Sequence, residues 1–232
     1  MFAIALSLLT AFSFASASLF AQRGLHRLST PWGVWITLIA NCIFLWGLHL
    51  LFHPEAPILI KANLPFVVIG LFVPGLARML IFRGIRKIGS SMTATVESST
   101  PMFSTILAII FLRERPGLLV LSGIGMIVVG LMVLSWVREE RSWSRAELLF
   151  PLSAAFLFGL KDVLARWGLA MTGQPILAAA ITVTAATLEV FLIVRCVHGE
   201  RFSLPPLRVI RWFVISGLFT GCAFLFMFSA LH

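Results

Sequence analysis

Five ionisable side chains sit inside long apolar runs of this sequence: Arg78, Glu97, Lys161, Asp162 and Glu189. A charge at the centre of a hydrocarbon layer costs roughly 2.5–3.5 kcal/mol on insertion scales, so such groups need a counter-charge or a wet cavity. Three acids and two bases nearly balance, and mutual pairing between helices is the plain structural reading. The alternative is a path for a polar solute or a proton.

Glu97 is singled out by Pro101, which has no N–H and therefore deprives the carbonyl of residue 97 of its helical partner. A freed carbonyl then lies level with a carboxylate. Ser98, Ser99 and Thr100 could close that break locally, or the opened turn could line a cavity. Asp162 and Arg166 share a helix face and read as an intrahelical ion pair, whereas Lys161 points elsewhere as a cavity charge. The base nearest to Glu189 in sequence, Arg195, is off its face, so its partner must come from another helix or from solvent. Glu114, flanked by Arg113 and Arg115, reads as a tie for a short loop.

His49 and His53 have the spacing of a helical metal pair, but no third ligand is evident beyond Glu55, and no metal site is expected. Cys42, Cys196 and Cys222 show no CxxC spacing and read as packed thiols. No P-loop, HExxH, nucleophile elbow or dinucleotide fingerprint is present, so neither a cofactor nor an ATP-driven pump is indicated. Intramembrane acid–base chemistry at Glu97 or Glu189 would need a clustered His or Asp that is missing, and an enzyme is not expected.

The elements that must carry these groups follow from composition. Of 232 residues, 59% are hydrophobic and 12% charged, where a soluble domain carries about 25% charged residues. Apolar runs of span length fall at approximately 2–21, 31–52, 64–82, 91–111, 117–136, 147–167, 176–197 and 210–231. The expectation is an all-α, multi-pass membrane protein with eight spanning helices and no soluble domain. The first run is not preceded by a basic residue and is read as a retained helix rather than a signal peptide.

A net charge of +9 would suggest nucleic acid in a soluble protein, but here the bases fall between apolar runs, and no nucleic-acid partner is expected. Odd-numbered loops hold Arg23, Arg27, then Arg83, Arg86, Lys87, then Arg138, Arg141, Arg145, then Arg195, Arg201, Arg208 and Arg211. Even-numbered loops hold only Lys61, Arg113, Arg115 and Arg166. That bias puts the odd loops in the cytoplasm. Trp32, Trp35, Trp136, Trp143 and Trp212 lie near span ends as an aromatic belt, while Trp46 faces inward.

An internal repeat orders the runs. A shift of 144 residues aligns Ala11, Phe12, Phe14, Ala21, Gly24 and Leu25 with Ala155, Phe156, Phe158, Ala165, Gly168 and Leu169. A shift of 147 aligns Gly70-Leu71-Phe72 with Gly217-Leu218-Phe219. Residues 1–137 then form a five-helix unit and residues 146–232 a second unit of three helices. An odd number of helices in the first unit inverts the second, and two further helices are expected by the chain's own symmetry.

The stretch Met92 to Leu134 resembles the EamA-like branch of the drug/metabolite transporter superfamily. It carries a polar fourth helix (Ala94 to Pro101), an apolar half ending Phe111-Leu112-Arg113-Glu114, and a glycine-bearing fifth helix with Gly123 and Gly130. The resemblance implies ten helices in two units and a secondary transporter, an exporter of a small polar or amphipathic metabolite or drug through the cytoplasmic (inner) membrane. Glu97, Pro101, Arg78, Lys161, Asp162, Glu189 and Trp46 are the candidate path residues, and Glu114, Gly123 and Gly130 the structural motif. Expected partners are the lipid bilayer and a small-molecule substrate, with a homodimer or a helix-lending partner as a further option. The alternative is a non-transporting or partner-dependent membrane protein from a truncated gene.

Overall fold

The computed structural model describes residues 2–25, 28–52, 61–136, 144–196 and 206–231. All regular elements among them are helical. They are α1 (Phe2–Leu25), α2 (Thr30–Phe52), α3 (Leu64–Gly70), α4 (Gly75–Ile88), α5 (Ser90–Glu97), α6 (Thr100–Leu107), α7 (Leu118–Trp136), α8 (Leu149–Thr172), α9 (Pro175–Cys196) and α10 (Leu207–Leu231). Each of the eight predicted runs is recovered as one helix or as a broken pair.

Among the described residues, seven helical stretches are long and apolar enough to cross a membrane, the pairs α3–α4 and α5–α6 each counting as one. The remaining run is α7, an apolar helix of 19 residues that is not among those seven. The chain is a multi-pass integral membrane protein. Of the sequence expectations, Arg27, His53, Glu55, Arg138, Arg141, Trp143 and Arg201 lie outside the described residues.

Several expected loop charges lie on helices instead. α4 runs on to Ile88, with Arg83, Arg86 and Lys87 exposed on its last turns and Ile81, Phe82, Ile85 and Ile88 buried. That alternation has helical period, and cations at a helix C-terminus are favoured by the dipole, so the helix continues until Gly89 turns it at φ +84. Arg166 likewise belongs to α8, which extends to Thr172 and stops at the left-handed Gly173. Arg86 donates to the carbonyls of Leu25 (3.0 Å) and Leu28, and Lys87 pairs with Glu147 at 3.4 Å. These contacts put the connections after α1, after α4 and before α8 on one face of the bundle.

Helices in lipid gain nothing by excluding water from one another, so they associate where small residues let backbones approach. Four such approaches occur as two matched pairs. A Cβ on Gly24 would strike the Phe213 ring, and one on Gly168 would strike Phe66. A Cβ on Gly70 would lie 2.5 Å from the Thr182 carbonyl oxygen and 2.5 Å from the Ala185 Cβ; on Gly217 the distances are 2.5 Å to the Thr37 oxygen and 2.7 Å to the Ala40 Cβ. The members of each pair are related by the 144 and 147 offsets, with about 145 for α2 and α9. Two aromatic contacts repeat in nearly the same way: Phe82–Phe213 and Phe66–Phe228 both have centroids 6.3 Å apart. Accordingly α1 packs on α10 while α8 packs on α3 and α4, and α2 packs on α9. α7 leans mainly on α6, and a Cβ at Gly123 or Gly130 would meet nothing within 4 Å.

The contrast among glycines is testable by thermal unfolding in detergent. Gly217→Ala drives a methyl into a backbone carbonyl that cannot yield, and should cost about 1–3 kcal/mol, or about 2–12 °C in Tm. Gly123→Ala should leave Tm unchanged or raise it slightly, because helix propensity then acts without a clash.

Candidate functional site

The fourth apolar run breaks where its sequence says it should. α5 ends at Glu97 and α6 starts at Thr100, with Pro101 next. The carbonyl that Pro101 leaves free is taken by the Thr100 hydroxyl, which donates to the Glu97 carbonyl at 2.7 Å. Ser98 and Ser99 donate to the carbonyls of Thr95 (2.6 Å) and Val96 (2.7 Å). Short hydroxyl side chains thus satisfy the break from within, as hydrocarbon surroundings require. The same turn also lines a cavity, so local closure and cavity lining, posed as alternatives, occur together.

That cavity has a volume of about 680 Å3 and is walled by α1, α4, α5, α6, α8 and α10. Arg78, Glu97, Pro101, Lys161 and Asp162 all line it, with Phe14, Phe82 and Phe158 supplying apolar wall. Five of the seven candidate path residues therefore converge from three separate runs. A second cavity of about 600 Å3 lies toward the end of α6. Pro101, Asp162 and Met227 border both, so the two voids meet at the broken turn.

The charges stand in three tiers. Arg78 is 5% exposed and donates through Nη1 to the Thr220 hydroxyl at 2.8 Å, while its Nε has no partner. Among the described residues neither Arg78 nor Glu97 has an opposite charge within 4.0 Å. Lys161, 1% exposed, pairs with Asp162 at 2.5 Å and lies 5.6 Å from the Phe158, 5.7 Å from the Phe224 and 6.0 Å from the Phe228 ring centroids. At the far cavity, Arg166 Nη1 donates to both carboxylate oxygens of Glu114 at 2.7 and 2.9 Å.

This arrangement corrects the expected Asp162–Arg166 pair. The Lys161 ammonium is sealed among aromatic rings and needs the nearest counter-charge, which is its neighbour Asp162. Arg166, half exposed, reaches instead to Glu114, which a π-helical turn (Ala108–Leu112) and a left-handed Arg113 (φ +54) present toward α8. Glu114 thus links its loop across to another run.

Two candidates lie elsewhere. Trp46 faces inward, donating to Thr184 at 2.8 Å and packing edge-on against buried His49, but it does not line the cavity. Glu189 lies at the break between α3 and α4, against Gly75. Among the described residues no group of three His, Cys, Asp or Glu is placed to hold a metal ion.

Residues 1–136 match the sequence model of the EamA-like transporter family, a stretch that ends where α7 ends. The chain belongs to this family. No curated protein matches the sequence. EamA-like proteins are membrane transporters of the drug/metabolite type rather than enzymes.

Sequence reasoning missed Met227, Thr220 and the aromatic cage around Lys161. The first two are ordinary in type, and nothing in their own run marks them. Phe158 did carry a signal: it precedes Lys161 by three residues on the same helix, a spacing that puts ring and ammonium on one face.

Removing one member of the Lys161–Asp162 pair should be worse than removing both. Asp162→Asn leaves a buried ammonium uncompensated and should cost up to about 3–5 kcal/mol in a thermal or denaturant melt. The double variant Lys161→Met/Asp162→Asn should recover most of that loss.

Proposed function

We propose that this EamA-like protein is a secondary transporter that carries a small polar or amphipathic metabolite or drug outward across the cytoplasmic membrane. The cavity lined by Arg78 and Glu97 is its solute site. The supporting observation is a buried guanidinium with an unpartnered Nε, facing a cavity that also holds a carboxylate with no ion-pair partner among the described residues. Charges kept apart across a void are available to a solute, whereas Lys161–Asp162 and Arg166–Glu114 are already engaged. Aromatic and aliphatic walls suit the apolar part of an amphipathic molecule.

In this reading the chain is built from two inverted units, residues 1–137 and a second beginning at residue 146. The matched glycine and phenylalanine contacts support it, since a two-fold relation between units predicts that a contact between Gly24 and Phe213 recurs between Gly168 and Phe66. The face holding Arg86, Lys87 and Glu147 is then cytoplasmic by its bases. The bilayer and the solute are the partners that transport requires.

The test is efflux from proteoliposomes loaded with a panel of small organic anions, cations and zwitterions. Glu97→Gln should keep the melting temperature of the parent and reduce flux of the transported solute at least about tenfold, as loss of one charged contact allows. Unchanged flux at every pH tested would remove Glu97 from the site, and no flux of any solute from the folded parent would refute transport by this chain.

A further inference from the structure

We propose that Glu189 is the positioning residue for Arg78: from α9 it caps the N-terminus of α4 and so holds the broken third run in the shape that points Arg78 into the cavity. The proposal rests on the reading of Arg78 as a site residue, but the cap itself can be measured without transport.

The need for a cap follows from the backbone. Between α3 and α4 the N–H groups of Leu71, Phe72 and Val73 are taken by the carbonyls of Val68 and Ile69, and Pro74 has none to offer. The first ladder bonds of α4 are Ala77 to Phe72 (3.2 Å) and Arg78 to Pro74 (2.9 Å). Gly75 and Leu76 therefore start the helix without a backbone acceptor, and the residue at the cap position, Pro74, has no side-chain oxygen. Inside a membrane the acceptor must come from the protein. The Glu189 carboxylate, reaching from α9, lies at this helix start with Oε2 against Gly75.

Gly75 is what lets it arrive. A Cβ there would overlap Glu189 Oε2 and crowd Val190, so the carboxylate fills the space the missing side chain leaves. Oε2 has no hydrogen-bond partner and Glu189 has no ion pair among the described residues, so no cation draws the group away from the helix end.

The matching contact between α2 and α10 supplies a comparison. α10 continues as unbroken helix through Gly221 and Cys222, which match Pro74 and Gly75 at the 147 offset. There the position matching Arg78 is Leu225, and the position on α2 matching Glu189 is Phe44, whose ring lies against Gly221. Break, acid and cation occur together where α9 meets the third run and are all absent from the matching contact of α2 with α10. Their joint presence fits a single device, in which Glu189 keeps the break and the break aims Arg78.

Hydrogen–deuterium exchange on the full chain in nanodiscs tests the cap, and labelling of Arg78 by phenylglyoxal, read by mass spectrometry, tests the positioning. Glu189→Gln retains an acceptor and should match the parent in both. Glu189→Leu should speed exchange in the peptide covering 71–80 by about tenfold or more, as loss of a helix cap allows, leave the peptide covering 210–225 unchanged, and alter Arg78 labelling several-fold. Should Glu189→Leu fail to fold, Gly75→Ala displaces the carboxylate while keeping its charge and should give the same local change. Unchanged exchange at 71–80 in these variants, or a rise spread equally over the chain, overturns the cap. Faster exchange with unchanged Arg78 labelling overturns the positioning role. If both local changes occur in a protein that moves no solute, the transport reading fails and the cap stands.

Discussion

A helix in hydrocarbon has no water to complete its backbone, so every place where the chain stops being helical within a span must be satisfied by protein groups. Two such places shape this molecule. At Ser98–Thr100 the groups are local: three consecutive hydroxyls turn back onto carbonyls within their own turn. At Leu71–Gly75 the free groups are N–H donors, and no side chain of the break itself accepts them. The two solutions have different consequences. A break that closes on itself leaves its flank open to a cavity, whereas a break that borrows an acceptor from α9 fixes two runs to each other.

The same shortage of water governs the charges. Lys161 is the most enclosed of them, and it is compensated by Asp162, the Met227 sulfur at 3.0 Å and three aromatic rings. Arg78 is enclosed almost as fully, and among the described residues it has the Thr220 hydroxyl and the Phe82 ring, whose centroid is 5.9 Å away, but no ion-pair partner. Two cations of similar burial thus differ in how completely they are paired. The difference favours a solute-facing role for Arg78 and a packing role for Lys161, which composition and spacing alone would have treated alike.

Much of this was legible in the sequence. Run lengths marked the helices, and Pro101 marked the position of one break, because a missing N–H is a local fact. The convergence of Arg78, Glu97, Lys161 and Asp162 was legible only as a need for partners. Which partner each would take depended on long side chains choosing among neighbours, and there the i,i+4 rule failed for Asp162 and Arg166. It failed because a sealed ammonium outcompetes an exposed guanidinium for the nearer carboxylate. The break before Gly75 was not anticipated, although Pro74-Gly75 is a breaker pair inside an apolar run. Run length masked it, since α3 and α4 together still read as one span.

The weak internal identity carried more than its few matches suggested. Glycines repeated at an offset within one chain mark places where two backbones touch, and a touching pair needs its second member as well. Gly70 and Gly217 align in sequence; the structure adds that Thr182 and Thr37, which they touch, lie at nearly the same offset. Contacts that recur this way are accounted for by close helix packing. Positions that break the correspondence are then the informative ones. Arg78 against Leu225 and Glu189 against Phe44 are such positions, and at the α9 contact with the third run a polar pair stands in place of the apolar pair at the matching α2 contact with α10.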